Sequence, residues 1–159
     1  MMTASFEELL TLIGRQAEAG EWDAALAAII GFFKAESGTI HLTGADGNLH
    51  LKCASAGIPE AVRRIVEVVP VGKGMAGLAA ERREPVSICN IQTDQSGDVR
   101  PGARVTGLEG AIALPMMDAG GGGVAGVLGV ANRAARTFTP EESGQLLSAG
   151  RTLARWAVR

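Results

Sequence analysis

Both ends of the chain carry apolar residues at helical spacing. Ser5-Phe-Glu-Glu8 is a capping box, and the apolar stripe after it predicts a helix. A second apolar stretch runs over 21–34, so we expect residues 5–36 to be helical. Thr139-Pro-Glu-Glu142 combines an N-cap residue, a proline at the first helical position and acidic residues in the first turn. It predicts a C-terminal helix over 139–158.

The segment between these helices alternates between apolar and polar residues, as strands do. Over 37–43 the polar residues share one face of a strand, opposite Ile40 and Leu42: Thr39, His41 and Thr43. After the Asp46-Gly47 hairpin turn, the apolar residues alternate again: Leu49, Leu51 and Cys53. Two apolar strands, 110–117 and 124–131, flank a glycine-rich turn and predict an antiparallel hairpin. The pattern therefore predicts an α+β fold.

His41 and His50 are the two histidines of the chain, and they lie on the polar faces of adjacent predicted strands. Zinc requires three or four converging ligands, and no third ligand lies nearby in the sequence. We interpret both side chains as solvated strand residues and expect no metal site.

Gly72, Gly74 and Gly77 have the spacing G-x-G-x-x-G, which occurs in dinucleotide-binding turns. Asp94 lies at about the distance after them at which that fold places its ribose acid. However, Pro70 disfavours a central strand, and the following helix, roughly 75–83, is short for a crossover between parallel strands. We therefore do not expect NAD as a cofactor.

Five stretches of the chain follow one another in a characteristic order: 69–77, 85–91 with Asn90, 110–115, 126–132 and 138–142. Together they resemble the GAF domain family, a small-molecule-sensing module of signalling proteins. The resemblance covers about 6–156 and implies a single GAF domain over 1–159, with a sheet and pocket core over 37–131. It implies a central antiparallel sheet with the N- and C-terminal helices on one face. Short helices and a long loop would cover a ligand pocket on the other face.

The predicted loop over 92–108 is longer than most connections and supplies many polar groups for such a pocket. The candidate ligand-binding residues are Arg63, Met75, Asn90, Asp94, Arg104 and Thr106. Seven further residues are expected to be structural: Gly72, Gly74, Gly77, Asn132, Arg133, Phe138 and Glu142. The last four resemble the N-K…F-x-x-x-D-E signature of the cyclic-nucleotide-binding branch, which implies an ion pair between Arg133 and Glu142. A cyclic nucleotide or another small molecule is therefore a possible ligand.

The resemblance implies a regulatory domain, and two alternatives stand beside that interpretation. One is a structural dimerisation module with a filled pocket. The other is a free methionine sulfoxide reductase, which in that branch of the family has a cysteine where this chain has Met75 and another in the later loop. Loop 92–108 contains no cysteine, and we interpret Cys53 and Cys89 as inert core residues on two strands. We therefore expect no enzymatic activity.

Composition limits the remaining possibilities. The chain of 159 residues suits one domain, and a net charge of −2 without a basic patch argues against nucleic-acid binding. No apolar run approaches the ~20 residues of a membrane span. Two cysteines and no secretory signal predict a cytoplasmic protein. The abundance of glycine and alanine is typical of bacterial proteins of high coding GC content.

Both terminal helices have wide apolar stripes, and a single sheet face can bury only one side of each. We therefore expect a homodimer through these helices that signals to an unknown partner protein. The last helix has two neighbouring apolar lines: Leu146, Leu153 and Trp156 on one, and Leu147, Ala154 and Val158 on the other. One line should meet the sheet and the other the partner, and the sequence leaves open which.

Overall fold

A computed structural model describes residues 5–99 and 107–157. Its helices are α1 (Phe6–Glu18), α2 (Trp22–Phe32), α3 (Glu60–Ile65), α4 (Gly74–Arg82) and α5 (Pro140–Ala154). Its strands are β1 (Ser37–Thr43), β2 (Leu49–Ala54), β3 (Val68–Val69), β4 (Val86–Ile88), β5 (Gly110–Met117) and β6 (Val124–Asn132). Within the described residues, no helix is long and apolar enough to cross a membrane.

The strands form one six-stranded antiparallel sheet in the order β3-β2-β1-β6-β5-β4. The predicted hairpin of β5 and β6 is present, and β6 also pairs with β1, which brings the two halves of the chain together. The α+β fold with a central antiparallel sheet is therefore confirmed.

The N- and C-terminal helices cover one face of the sheet, as predicted. Helix α2 lies on β1 and β2, α5 lies on β5 and β6, and α1 packs against both helices. Both capping boxes form: Ser5 Oγ accepts from the amide of Glu8 at 3.1 Å, and Thr139 Oγ1 accepts from the amide of Glu142 at 3.1 Å. These local bonds fix where α1 and α5 begin.

The main core lies between these helices and alternate residues of the central strands. The sheet contributes Ile40, Ile112, Leu114, Leu128 and Val130. On α5, the line of Leu146 and Leu153 faces the sheet and is buried. Leu147 is half-buried beside this core, but Ala154 is buried, so the second predicted line is not uniformly exposed. Val158 lies outside the described residues.

A β-bulge in β2 overturns the predicted alternation of Leu49, Leu51 and Cys53. Ile40 pairs with Cys53 but His41 pairs with Leu51, which leaves Lys52 as an extra residue. An extra residue moves the following side chains to the opposite face. Leu49 accordingly packs beneath α4, while Cys53 belongs to the core under α2.

A polar network joins the end of β6 to the start of α5. The Arg136 guanidinium donates to Glu142 Oε2 at 2.6 Å and to Asn132 Oδ1 at 2.9 Å, and its Cζ lies 4.2 Å from the centre of the Phe138 ring. The predicted ion pair between Arg133 and Glu142 is therefore wrong. Arg133 points away and pairs loosely with Glu36 (3.7 Å) at the surface.

Candidate ligand-binding site

The sheet face opposite the terminal helices forms the floor of a cavity. Two cross-strand rows of small residues run over this floor, as register shows: Ser37–Ala131–Ala111 and Thr39–Gly129–Ala113. His41 lies beside Val127 in the next row. All of these residues line the cavity.

The cavity has a volume of about 190 Å³. For comparison, a cavity needs roughly 10–15 Å³ to hold one water molecule, and that water needs two to four polar partners. The floor supplies few such partners, because alanine and glycine predominate there. Their small size also explains the volume, since larger side chains on β5 and β6 would fill the space.

Apolar residues from the two short helices form the roof: Val62, Ile65 and Val66 from α3 and its C-cap, and Met75 and Ala76 from α4. Ile91, Val99 and Leu108 close one end. Ile91 belongs to a small buried cluster with Ile88, Ala111 and Ala131, against which Val99, Leu108 and Met75 pack. The predicted location of the pocket, under the short helices and the long loop, agrees with this arrangement.

The glycine turn before α4 sets how closely that helix approaches the sheet. Gly72 and Gly74 have φ values of +93° and +66°, which side chains rarely adopt. Gly77 has a different requirement, since a Cβ there would overlap the carbonyl oxygen of Pro70. The Gly72 amide also donates to the Gly77 carbonyl at 2.8 Å, so the turn and the first turn of α4 are held together.

Hydrogen bonds to α4 and between the two ends of the loop hold the described part of loop 92–108. The guanidinium of Arg82 on α4 donates to both carboxylate oxygens of Asp98, at 3.2 and 3.4 Å. The Gln92 side-chain amide donates to the Leu108 carbonyl at 2.8 Å, which joins the two ends of the loop. These bonds hold Val99 and Leu108 where they line the cavity.

His41 is buried, with 3% of its surface exposed, and the prediction of a solvated residue is wrong. Its Nε2 lies 2.8 Å from the carbonyl oxygen of Val66, at the end of α3. A carbonyl can only accept, so Nε2 carries the proton, and Nδ1 has no partner among the described residues. Burial lowers the pKa of His41, so the neutral ring is favoured. His50 was predicted correctly: it is partly exposed and bonded to Asp46 at 2.9 Å.

One of the six predicted ligand-binding residues, Met75, lines the cavity. Arg63, Asn90 and Asp94 lie outside the lining, and Arg104 and Thr106 lie outside the described residues. Asn90 and Asp94 instead stabilise the loop, since Asn90 accepts from the amide of Gln92 at 2.9 Å and Asp94 accepts from the hydroxyl of Ser96 at 2.5 Å.

The polar residues that do line the cavity are Ser37, Thr39, His41 and Lys73. Three of them share the polar face that alternation predicts for β1, so the sequence contained a signal for them. That signal did not show that α3 covers this face.

The cysteines occupy two different environments. Cys53 is buried in the core under α2, and burial raises the pKa of its thiol to about 12. Cys89 follows β4 and is exposed, so its interpretation as a core residue is wrong. Neither thiol lines the cavity. Within the described residues, no three potential metal ligands among His, Cys, Asp and Glu converge.

The family model of the GAF domain matches residues 3–155. The chain belongs to the GAF domain family. Among solved structures it is similar to the GAF domain of an Acinetobacter phosphoenolpyruvate-protein phosphotransferase, with a TM-score of 0.77, 19% identity and coverage of 98% of this chain and 94% of the other. It is also similar to a putative GAF sensor protein from Burkholderia vietnamiensis, with a TM-score of 0.69, 18% identity and coverage of 97% and 96%.

A third similar structure is the free methionine-R-sulfoxide reductase of Neisseria meningitidis in complex with its substrate. It has a TM-score of 0.74, 15% identity and coverage of 98% of this chain and 93% of the other. No protein of curated function matches the chain. At these identities the similarity shows the fold, and the fold supports a sensing or regulatory module. The neighbours include both regulators and reductases, so function must be argued from the residues of this chain.

Proposed function

We propose that this GAF domain is a non-catalytic sensor that binds a small molecule in the cavity beneath α3 and α4. The observation that carries the proposal is the cavity of about 190 Å³ between a floor of small residues and an apolar roof. A module that only dimerises needs no such cavity, whereas a cleft lined by apolar side chains with a few polar groups is the usual form of a small-molecule site. From the cysteine content of the sequence, we place the domain in the cytoplasm.

The positions of the cysteines support the non-catalytic part of the proposal. A thiol-based reductase needs an attacking thiolate and a resolving thiol that can reach the substrate. Cys53 is buried on the opposite side of the sheet, and its raised pKa of about 12 opposes thiolate formation. Cys89 is exposed and lies outside the cavity lining.

The test of ligand binding is to fill the cavity and to compare the result with a matched substitution elsewhere. Ala76 on α4 lines the cavity, whereas Ala61 on α3 is exposed and does not. We expect the wild type and Ala61→Phe to bind naphthalene, a neutral apolar probe, and Ala76→Phe to lose binding. Ligand-observed NMR would measure this, and native mass spectrometry of freshly purified protein would reveal a co-purified molecule. Equal binding by both variants, or no binding by the wild type, would contradict the proposal.

We further propose that the domain forms a homodimer through its terminal helices and signals to a partner protein. Supporting this, Leu12 on α1 is 40% exposed and lies in a groove between α1 and α2. The groove walls also include Leu9, Ala28 and Phe32. A groove that combines these apolar residues with the charged Glu7, Glu8 and Arg15 is a suitable contact for a second copy of α1.

Substitutions on the helical face test the dimer. We expect Leu12→Glu and Leu147→Glu to give folded monomers, because both side chains are at least partly exposed. Leu146→Glu serves as the contrast: it should unfold the domain, because Leu146 is completely buried against the sheet. Analytical ultracentrifugation would measure the mass. A wild-type monomer at tens of micromolar, well above the ~μM dissociation constant of a modest interface, would rule out the dimer.

A further inference from the structure

Three polar side chains cross the otherwise apolar floor of the cavity in a single line. Ser37, Thr39 and His41 occupy alternate positions of β1, and all three line the cavity. We call these residues the β1 stripe. Alternate residues of a strand share a face and are spaced by about 6.7 Å. A ligand lying on the floor therefore meets polar groups along one edge and apolar residues over the rest of the floor.

The two hydroxyls of the stripe are available to a ligand. Ser37 is 93% buried (7% exposed), and neither it nor Thr39 makes a side-chain hydrogen bond to another described residue. Thr39 lies opposite Gly129, where an added Cβ would come within 3.3 Å of its Oγ1. The glycine therefore leaves this hydroxyl uncovered towards the cavity.

His41, the third member, uses one of its two ring nitrogens, and its Nδ1 has no partner among the described residues. Its Nε2–H donates to the carbonyl oxygen of Val66 at 2.8 Å, which ties the floor of the cavity to the end of α3. This bond holds α3 above the stripe. Nδ1 of His41 can only accept, whereas the hydroxyls of Ser37 and Thr39 can each donate and accept, so these two residues supply the donors of the stripe.

The charge of the lining indicates the charge of the ligand. Among the described residues that line the cavity, Lys73 is the only one that is ionised at neutral pH, given the lowered pKa of His41. Lys73 is exposed, at the N-cap of α4. An ionised group of a ligand on the floor would lose its hydration without an opposite charge beside it, and this desolvation costs binding free energy.

We infer that the cavity takes a neutral, largely apolar molecule with hydroxyl, carbonyl or amide groups along one edge, and that Ser37 and Thr39 select it. This inference rests on the proposed function, because it presupposes that the cavity binds a ligand. It adds the chemical class of that ligand and the two residues that recognise it.

Three probes built on one ring system test the inference on the full chain. Naphthalene-2,7-diol has two hydroxyls on one edge, naphthalene has none, and naphthalene-2-carboxylate has a negative charge. We expect the diol to bind most tightly to the wild type. Thr39→Val keeps the shape of the side chain and removes its hydroxyl. This variant should weaken binding of the diol roughly tenfold and leave the affinity for naphthalene unchanged, as expected for the loss of one hydrogen bond to the ligand.

Thr43→Val is the matched control. Thr43 is on the same strand and the same face, but it lies outside the lining, and its hydroxyl donates to the carbonyl oxygen of Val124 at 2.8 Å. It should leave the ratio of diol to naphthalene affinity unchanged. Ser37→Ala is a second test variant, with the same expectation as Thr39→Val, if the latter does not fold.

Each outcome is decisive. If naphthalene binds but the diol binds no better, or if Thr39→Val and Ser37→Ala leave the affinity ratio unchanged, the inference fails while the proposed function stands. Tighter binding of the carboxylate than of the diol overturns the neutral ligand class. If the wild type does not bind naphthalene, the proposed function fails, and the inference fails with it.

Discussion

Replacing Gly77 with alanine tests how α4 is held against the glycine turn that forms one side of the cavity. A Cβ at this position would overlap the carbonyl oxygen of Pro70 and would lie 3.1 Å from the amide nitrogen of Gly72. Both are backbone atoms, and the 2.8 Å hydrogen bond from Gly72 to Gly77 holds them in place. The clash can therefore be relieved only by moving α4 away from the turn.

The size of the effect follows from two opposing contributions. Overpacking a well-packed site costs about 1–3 kcal/mol, and a clash with backbone belongs at the upper end. Alanine in a helix is favoured over glycine by about 1 kcal/mol, which offsets part of this cost. We expect Gly77→Ala to lower the free energy of unfolding by about 2 kcal/mol net, or Tm by roughly 4–8 °C for a domain of this size.

Gly144→Ala is the matched control, because Gly144 is an exposed residue inside α5 with nothing within 4 Å of an added Cβ. This variant should stabilise the domain by about 0.5–1 kcal/mol. Gly74→Ala tests the backbone conformation of the turn, since a side chain at its φ of +66° should cost about 1–2 kcal/mol. Urea denaturation followed by circular dichroism would measure all three. Equal effects of Gly77→Ala and Gly144→Ala would refute the close-approach argument.

Three further predictions concern titration and thiol chemistry. The Thr139 amide and the Arg136 guanidinium lower the pKa of Glu142 from its ordinary value of 4.5, so Glu142→Gln should cost about 1 kcal/mol at pH 7. In urea denaturation the difference from the wild type should shrink as the pH falls below 4.5. Burial lowers the pKa of His41, so only the unfolded chain binds a proton at this residue as the pH falls below 6.5. The wild type should therefore lose stability, relative to His41→Gln, by at most about 1.4 kcal/mol per pH unit. Parallel curves of stability against pH for the two proteins would contradict this. In the native protein, iodoacetamide should modify the exposed Cys89 and leave the buried Cys53 unmodified, which peptide mass spectrometry would measure. Equal modification of both thiols would mean that the core around Cys53 opens readily.

The features that sequence analysis predicted well depend on neighbours in the chain. Ser5 and Thr139 begin helices through bonds to residues three positions later, so their capping boxes can be read directly. The alternation along β1 likewise places Ile40 and His41 on opposite faces. Local geometry also explains why a glycine turn followed by a short helix was expected near Gly74.

The features that it missed depend on residues brought together by the fold. The pattern of β1 predicts a solvated His41, because nothing in that strand shows that α3 covers it. A single extra residue, Lys52, reversed the faces of β2, and bulges leave little trace in an apolar pattern. The resemblance implies Arg133 as the partner of Glu142, whereas the direction of the chain after β6 brings Arg136 to Glu142 instead.

The candidate ligand-binding residues show a related difficulty. They were chosen for polarity, whereas the cavity owes its existence to missing side-chain volume. Ala113 and Gly129 lie next to each other in the sheet only because β5 and β6 pair in this register. A small residue predicts a cavity only when the elements above and below it are known.

The arrangement of the sheet suggests how an occupied cavity could affect the helical face. On β5, Ala113 lines the cavity while its neighbour Leu114 is buried under the helices. Helix α5 approaches this strand closely, since a Cβ at Gly150 would lie 3.2 Å from the Cγ of Met116. Close-packed interiors are barely compressible, so a small movement of β5 should reach α5. We expect naphthalene binding to slow hydrogen exchange in α5 as well as in α3 and α4. Slower hydrogen exchange confined to α3 and α4 would mean that the sheet accommodates the ligand without affecting the proposed dimer surface.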